Sequence, residues 1–319
     1  MKVFVCRKIP AAGLDKITAA CEADIWEGDL PPTQDQLAQR VRGVDGIVSL
    51  VTDKIDGDIM DTAGKQLKII SQMAVGVDNI DIQAAKARGI KVGNTPGVLT
   101  DATADLAFAL LLALTRRIVE GVDYVRAGRW KTWGPELLLG PDLRGATLGI
   151  IGLGRIGKAV ARRAFGFEMR ILAHSIDLTP DEAAEVHAQT VDLESLLHES
   201  DFVTIHTPYT PETHHLMNRE RLQMMKPTGL LINTARGPIV DQKALIEALQ
   251  NKIIGGAALD VTDPEPIPMN DPLLTMPNVI VVPHIGSASI QTRNRMAEMA
   301  AENLIAGLRG EKLPNPVTE

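Results

Sequence analysis

The sequence predicts an α/β protein of two domains, each a parallel sheet covered by helices. Short β-branched runs alternate with amphipathic helical patterns along the whole chain, the pattern of strands joined by crossover helices. A glycine-rich stretch, Gly152-Leu153-Gly154-Arg155-Ile156-Gly157, sits between one such run and a helical segment. The length of 319 residues suffices for two domains at roughly 150 residues each. An apolar share of 45% and a charged share of 23% suit a chain that buries real cores.

In order, the first series predicts strands at 2–6, 23–26, 46–50, 67–71 and 90–92, with helices at 11–21, 33–42, 58–63 and 82–88. Gly89 lies where a helix C-cap is expected. A long helix is predicted over 101–127, capped by Thr100 or Asp101. Its Leu106, Leu110, Ala113 and Leu114 stripe is apolar on too many sides for a surface helix, so contact with a second subunit is expected. Residues 130–143, rich in Trp, Pro and Gly, read as a loop or arm. A second series starts at Ala146, with strands at 147–151, 170–174, 202–206, 229–233, 257–260 and 279–282. A last helix at 290–308 ends at Gly310.

A formal charge of −7 without any basic stripe argues against nucleic acid or an anionic membrane as partner. Two cysteines, Cys6 and Cys21, cannot build a disulfide framework, and no zinc-type spacing occurs. The apolar run at 1–6 meets Arg7 and Lys8 at once, unlike a secretory signal. The most hydrophobic segment, 102–114, is too short to span a bilayer. The expectation is a cytoplasmic protein with no metal. His214 and His215, adjacent in sequence, would point about 100° apart on a helix and make a poor metal pair.

The glycine loop has a specific physical reading. Gly152 permits the tight turn, Gly154 lets a pyrophosphate approach the backbone, and Gly157 lets helix and strand pack closely. The helix N-terminus then offers N–H groups and partial positive charge to phosphates. The end of the second strand, where the ribose is read, is His174-Ser175-Ile176-Asp177. Lys and Arg are absent between Ile171 and Arg219, and Asp177, Asp181 and Glu182 would repel a 2′-phosphate. This favours NAD(H), with NADP(H) left open.

Three polar residues follow in loops after later strands, where open α/β sheets bind ligands. They are Arg236 in NTARG, Glu265 in DPEP and His284 in PHIG. A guanidinium can grip a carboxylate with paired hydrogen bonds and polarise a keto oxygen. A protonated imidazole can deliver a proton to that oxygen, and a neighbouring carboxylate favours and orients the charged ring. Taken singly each has a structural reading; together, downstream of a dinucleotide loop, they point to carbonyl reduction.

The chain resembles D-isomer-specific 2-hydroxyacid dehydrogenases across essentially its whole length, most of all glyoxylate/hydroxypyruvate reductases. The stretches that carry this are 74–81 (AVGVDNID), 94–97, 100–114, the GLGRIG loop, 201–208 with 211–213, 231–240, 258–266 and 282–287. The resemblance implies two flavodoxin- or Rossmann-like domains with the active site in the cleft between them. The substrate domain would be 1–99 plus 287–319, and the dinucleotide domain 100–286, including a dimerisation helix and arm. It implies Arg236 as substrate clamp, His284 as acid/base and Glu265 as its partner. Asp260 matches the position contacting the nicotinamide carboxamide. Thr103, Thr207, Pro208, Thr234, Ala235 and Gly286 match cofactor-lining positions, beside Ser175 and Asp177. Leu50 and the backbone of Val75 and Gly76 match substrate-holding positions, with Arg236 and His284. A homodimer is implied. Phosphite dehydrogenases carry lysine at the position of Val75, and phosphoglycerate dehydrogenases carry arginine near Leu50; formate dehydrogenases lack the acid that Glu265 supplies. A small unphosphorylated 2-keto acid is therefore expected, reduced to the D-2-hydroxy acid. The alternatives are another substrate within the family, such as phosphite, or a dinucleotide-sensing protein like the related corepressors, against which the intact Arg236, Glu265 and His284 set argues.

Overall fold

Strands covered on both faces carry no polar alternation, and GIVS at 46–49 and IISQ at 69–72 are buried at every position. They lie at the centre of one of two units into which the chain divides, Met1–Leu99 with Ser287–Glu319; the other is Thr100–Gly286. The structure is a computed structural model and describes residues 1–176 and 178–317.

The first unit runs β1 (Lys2–Val5), α1 (Ala11–Ala20), β2 (Glu22–Ile25), α2 (Gln34–Arg40), β3 (Gly46–Ser49), α3 (Gly57–Ala63), β4 (Ile69–Gln72), α4 (Ile82–Ala87) and β5 (Lys91–Gly93). Its strands pair in parallel in the order β2-β1-β3-β4-β5. Helix starts are set locally. Thr33 and Gln36 form a reciprocal capping box on α2, and Asp56 and Asp81 accept backbone N–H bonds at the starts of α3 and α4. Gly89 follows α4 with φ +67°.

The second unit runs α5 (Thr100–Thr115), α6 (Ile118–Arg126), β6 (Thr147–Ile151), α7 (Arg155–Gly166), β7 (Arg170–His174), α8 (Pro180–Ala184), β8 (Ala188–Thr190), α9 (Leu193–Glu199), β9 (Phe202–Ile205), α10 (Arg219–Met224), β10 (Leu230–Asn233), α11 (Gln242–Gln250), β11 (Gly256–Leu259) and β12 (Val279–Val281). Its parallel sheet has the order β12-β11-β10-β9-β6-β7-β8. Strand order reverses beside β6, between β7 and β9. Such a switch point opens a crevice at the carboxyl edge of the sheet. The chain then returns to the first unit as α12 (Ile290–Leu308). There Ala297, Ala300 and Leu304 share a core with Val3, Val48 and Ile69.

The helix expected over 101–127 is two helices. Arg117 takes a left-handed conformation, φ +50°, between α5 and α6, and its guanidinium pairs with Glu120 at 2.8 Å. Thr100 and Asp101 lie inside the first turn of α5 rather than capping it. Most of the apolar surface of α5 packs within its own unit, where Ala104, Ala107, Phe108, Leu111 and Leu114 meet Leu148, Ile150 and Val160, while Leu106, Leu112 and Ala113 stay half-buried and Ala109 exposed. The exposed apolar side chains follow it, on α6 and the arm: Ile118, Val119, Val122, Val125, Trp130 and Trp133. No helix among the described residues is long and apolar enough to cross a membrane. His214 and His215 stand in a turn, not a helix, and their rings stack with centroids 3.9 Å apart.

Candidate active site

The glycine loop begins where β6 ends. Gly152 has φ +93°, and a Cβ placed on it would lie 2.5 Å from the backbone nitrogen of Thr207. The strand-end segment after β9 therefore runs directly against the loop, at the switch point. A Cβ on Gly157 would collide with the Gly152 carbonyl oxygen, whereas one on Gly154 would meet nothing within 4 Å. Two of the glycines are thus required by packing and the third faces open space, the side from which a phosphate can approach. Gly154 caps α7 with no side-chain hydrogen bond, so among the described residues no side chain caps the helix's first N–H groups. Leu153 is buried in the core and Ile156 packs against it, which leaves the loop's backbone and exposed Arg155 for a ligand. At the end of β7, Ser175 is half-buried and its carbonyl accepts from Leu178 N at 3.4 Å; Asp177 lies outside the described residues.

Further along the same edge, Asp260 follows β11 almost fully buried. Its Oδ1 accepts from Ile285 N at 2.6 Å and its Oδ2 from Gly286 N at 2.8 Å. Burial holds its carboxyl above the usual carboxylate range. A Cβ on Gly286 would lie 3.0 Å from Asp260 Oδ2 and 3.5 Å from Thr103 Oγ1, so Thr103, Asp260 and Gly286 converge. After β10, Asn233 binds its own loop: Ala235 N donates to Asn233 Oδ1 at 3.0 Å, and Asn233 Nδ2 donates to Arg236 O at 2.9 Å. Thr234 Oγ1 is buried without a hydrogen-bond partner among the described residues. Pro208 O accepts from Thr213 Oγ1 at 2.8 Å, fixing the segment that carries Thr207.

His284 follows β12. Its φ is +53°, and its N–H donates to Asp260 O at 2.9 Å. A non-glycine residue in the left-handed region costs about 1–3 kcal/mol, and here the strained backbone turns the ring toward Glu265. His284 Nδ1 and Glu265 Oε1 are 2.6 Å apart, and the side chains remain 29% and 39% accessible. With Nδ1 engaged by the carboxylate, Nε2 is the nitrogen left to exchange a proton with a ligand. Arg236 is half-buried, and its Nη1 donates to Ala235 O at 2.8 Å. Because the strands are parallel, Gly152, Ser175, Thr207, Arg236, Asp260 and His284 all stand at the carboxyl edge of one sheet.

Two residues of this edge, Asn233 and His206, are not found by sequence reasoning. Burial pushes the His206 ring down to about 3, so it is neutral at pH 7, held by Thr204 Oγ1 at 2.9 Å from Nε2. Neither residue has a sequence signal beyond its place at a strand end.

In the first unit, Leu50 and the Val75–Gly76 pair follow β3 and β4, again at a carboxyl edge. Leu50 is half-buried against the core and Val75 is exposed. Val75 O accepts from Asn94 Nδ2 at 2.8 Å and Gly76 O from Gln72 Nε2 at 3.2 Å. The N–H groups of both donate to no acceptor among the described residues, which suits them to an anionic ligand.

Residues 108–286 match the sequence model of the D-isomer specific 2-hydroxyacid dehydrogenase, NAD binding domain. The chain is 54% identical to a glyoxylate reductase of Korarchaeum cryptofilum over 319 residues, covering 100% of this chain and 96% of that one. Its fold is similar to a crystal structure of a Thermus thermophilus protein, with TM-score 0.94, 52% identity and full coverage of both chains. It is also similar to an NADPH-dependent glyoxylate/hydroxypyruvate reductase of Sinorhizobium meliloti, solved in complex with NADP and malonate, with TM-score 0.88 and 35% identity, covering 99% of this chain and 96% of that one.

Proposed function

The chain belongs to the D-isomer specific 2-hydroxyacid dehydrogenase family, and from that premise we propose that it reduces glyoxylate, and hydroxypyruvate beside it, to the corresponding 2-hydroxy acid. It is an NAD(P)-dependent oxidoreductase acting on a keto acid. The observation that carries the proposal is the His284–Glu265 pair at 2.6 Å, on the sheet edge that also bears the glycine loop.

The fit of a dinucleotide rests on the open side of Gly154, the uncapped start of α7 and the unpartnered Thr234 Oγ1. When bound, the reduced dinucleotide supplies the hydride to the keto carbon. The residues proposed to hold it are the 152–157 loop, Ser175, Asp177, Thr103, Thr207, Pro208, Thr234, Ala235, Asp260 and Gly286. Arg236 grips the substrate carboxylate and polarises the keto oxygen. His284 gives the proton at Nε2 to that oxygen, and Glu265 stabilises the imidazolium before the transfer and orients the ring throughout. In the first unit, Val75 and Gly76, whose N–H groups donate to no acceptor among the described residues, are proposed to bind the substrate carboxylate, and Leu50 supplies an aliphatic wall with no cation for a phosphate. The second unit is thus the dinucleotide-holding domain and the first the substrate domain.

NAD(H) is the proposed preference, supported by the lack of Lys or Arg between Ile171 and Arg219. A homodimer is proposed through α6 and the arm, supported by their exposed apolar side chains. A reducing cytoplasm suits the two unpaired thiols, Cys6 and Cys21.

The test is a substrate panel followed at the nicotinamide absorbance. Glyoxylate and hydroxypyruvate, with NADH and NADPH in parallel, are compared with pyruvate, and phosphite is offered with the oxidised cofactors. The highest kcat/KM is expected for glyoxylate or hydroxypyruvate with NADH. Phosphite oxidation as the best activity, or no turnover with any of them, would overturn the proposal.

A further inference from the structure

A chain of polar side chains runs from the interior of the first unit, at Ser49 and Gln72, out to half-buried Asn79. Ser49 and Gln72 are fully buried, side by side on β3 and β4. Ser49 Oγ donates to Gln72 Oε1 at 2.6 Å, and Gln72 Nε2 donates to Asn79 Oδ1 at 2.7 Å and to Gly76 O at 3.2 Å. Asn79 Nδ2 in turn donates to Leu50 O at 2.9 Å and to Asp53 O at 2.7 Å. A carbonyl can only accept, so Leu50 O and Asp53 O fix which way the Asn79 amide points. That presents Asn79 Oδ1 to Gln72, fixes the Gln72 amide, and makes Ser49 the donor at the far end. Both N–H bonds of each amide are used, and neither amide can flip without setting oxygen against oxygen.

The three backbone carbonyls at the ends of this chain belong to the two loops that carry the proposed substrate contacts. Leu50 and Asp53 lie in the loop after β3, and Gly76 in the loop after β4. The loops are otherwise stitched by Ile55 N to Asn79 O and Asp81 N to Ile55 O, both 2.9 Å, outside the segment 50–53. Asp53 closes that segment on itself, its Oδ2 accepting from Leu50 N at 2.8 Å.

We propose that Gln72 and Asn79 are positioning residues that lock the Leu50 wall and the Val75–Gly76 amides into one rigid surface, and so set affinity for the carboxylate of the keto acid. The inference rests on the reading of those residues as substrate contacts. Neither amide touches substrate; each acts through the carbonyls it holds. A network with every amide N–H used has one arrangement, and a displacement of about 1 Å in a binding group is enough to cost up to ~100-fold.

The test uses Asn79→Ala, which removes the ties to Leu50 O and Asp53 O, and Gln72→Leu, which removes the tie to Gly76 O. In full-length protein, KM for glyoxylate is expected to rise at least tenfold while kcat falls less, and the NADH dissociation constant, read by fluorescence, stays within twofold. Asn79 is less buried than Gln72, so Asn79→Ala carries the test alone if Gln72→Leu does not fold. A glyoxylate KM within twofold of the wild type in folded Asn79→Ala overturns the inference. So does a parallel loss of NADH affinity, which marks a general structural defect. Wild-type protein that turns over no keto acid sinks the underlying reading and this inference with it, whereas a wild type that works beside an unaffected variant sinks the inference alone.

Discussion

Burial and charge oppose each other most plainly at Asp53. It is almost inaccessible, and burial pushes its carboxyl up to about 6, against the hydrogen bonds from Leu50 N and the Cys6 thiol and the nearby charge of Arg7. Its Oδ1 has no partner among the described residues, the place where a proton would sit. The folded value lies above the unfolded one, near ~3.9, so the folded state holds the proton more tightly. The stabilisation is fully present below pH ~4 and is lost as pH rises through about 6. A rise of that size corresponds to about 3 kcal/mol. Asp53→Asn is expected to flatten the fall in unfolding free energy between pH 4 and 6.5 by up to that amount, measured by urea denaturation across the range; profiles parallel to wild type would contradict it. This residue was invisible in the sequence, where it is one aspartate among many. Arg236, Glu265 and His284 were legible because each stands in a loop after an apolar strand. The left-handed backbone of His284 was not, because no glycine marks it. The Gln72–Asn79 chain was hidden too, since side chains that meet across two strands leave no period.

Elements were legible where one physical signal dominated. The apolar run, turn glycines and amphipathic stretch at 147–166 specify strand, loop and helix together. Adding one methyl at Gly157 puts carbon against the Gly152 carbonyl, and close-packed backbone cannot yield as a flexible side chain does. Gly157→Ala is expected to lower stability by about 1–3 kcal/mol and to weaken NADH binding at least tenfold, read by thermal melting and fluorescence titration. Unchanged affinity would show that this close approach does not shape the loop. The break between α5 and α6 escaped because the apolar period continues through it and Arg117 is neither Gly nor Pro. β8 escaped because Ala-Gln-Thr carries no apolar run, whereas β12, equally short, is Val-Ile-Val. The contrast between α5 and α6 is also one of burial: half of α5 is buried in the core of its unit, and α6 has no buried residue.

At the scale of the whole molecule, the parallel α/β class followed from alternation alone, and membership of the family from many short matches in one order. Exposed large apolar side chains fall close together in sequence on α6 and the arm, with Ile118 50% and Val125 53% exposed, and apolar surface gathered in water favours association. Light scattering is expected to give about twice the chain mass. Val122→Asp with Val125→Asp is expected to halve it, and a monomeric wild type would remove the dimer.

The His284 imidazole, paired with Glu265, is proposed to supply the proton to the keto oxygen. Positioned acid catalysis is worth roughly 10²–10⁴-fold. In His284→Ala, kcat for glyoxylate is predicted to fall at least 100-fold while the NADH dissociation constant stays within twofold of the wild type. Turnover within tenfold of the wild type, with folded protein and intact NADH binding, would contradict the account.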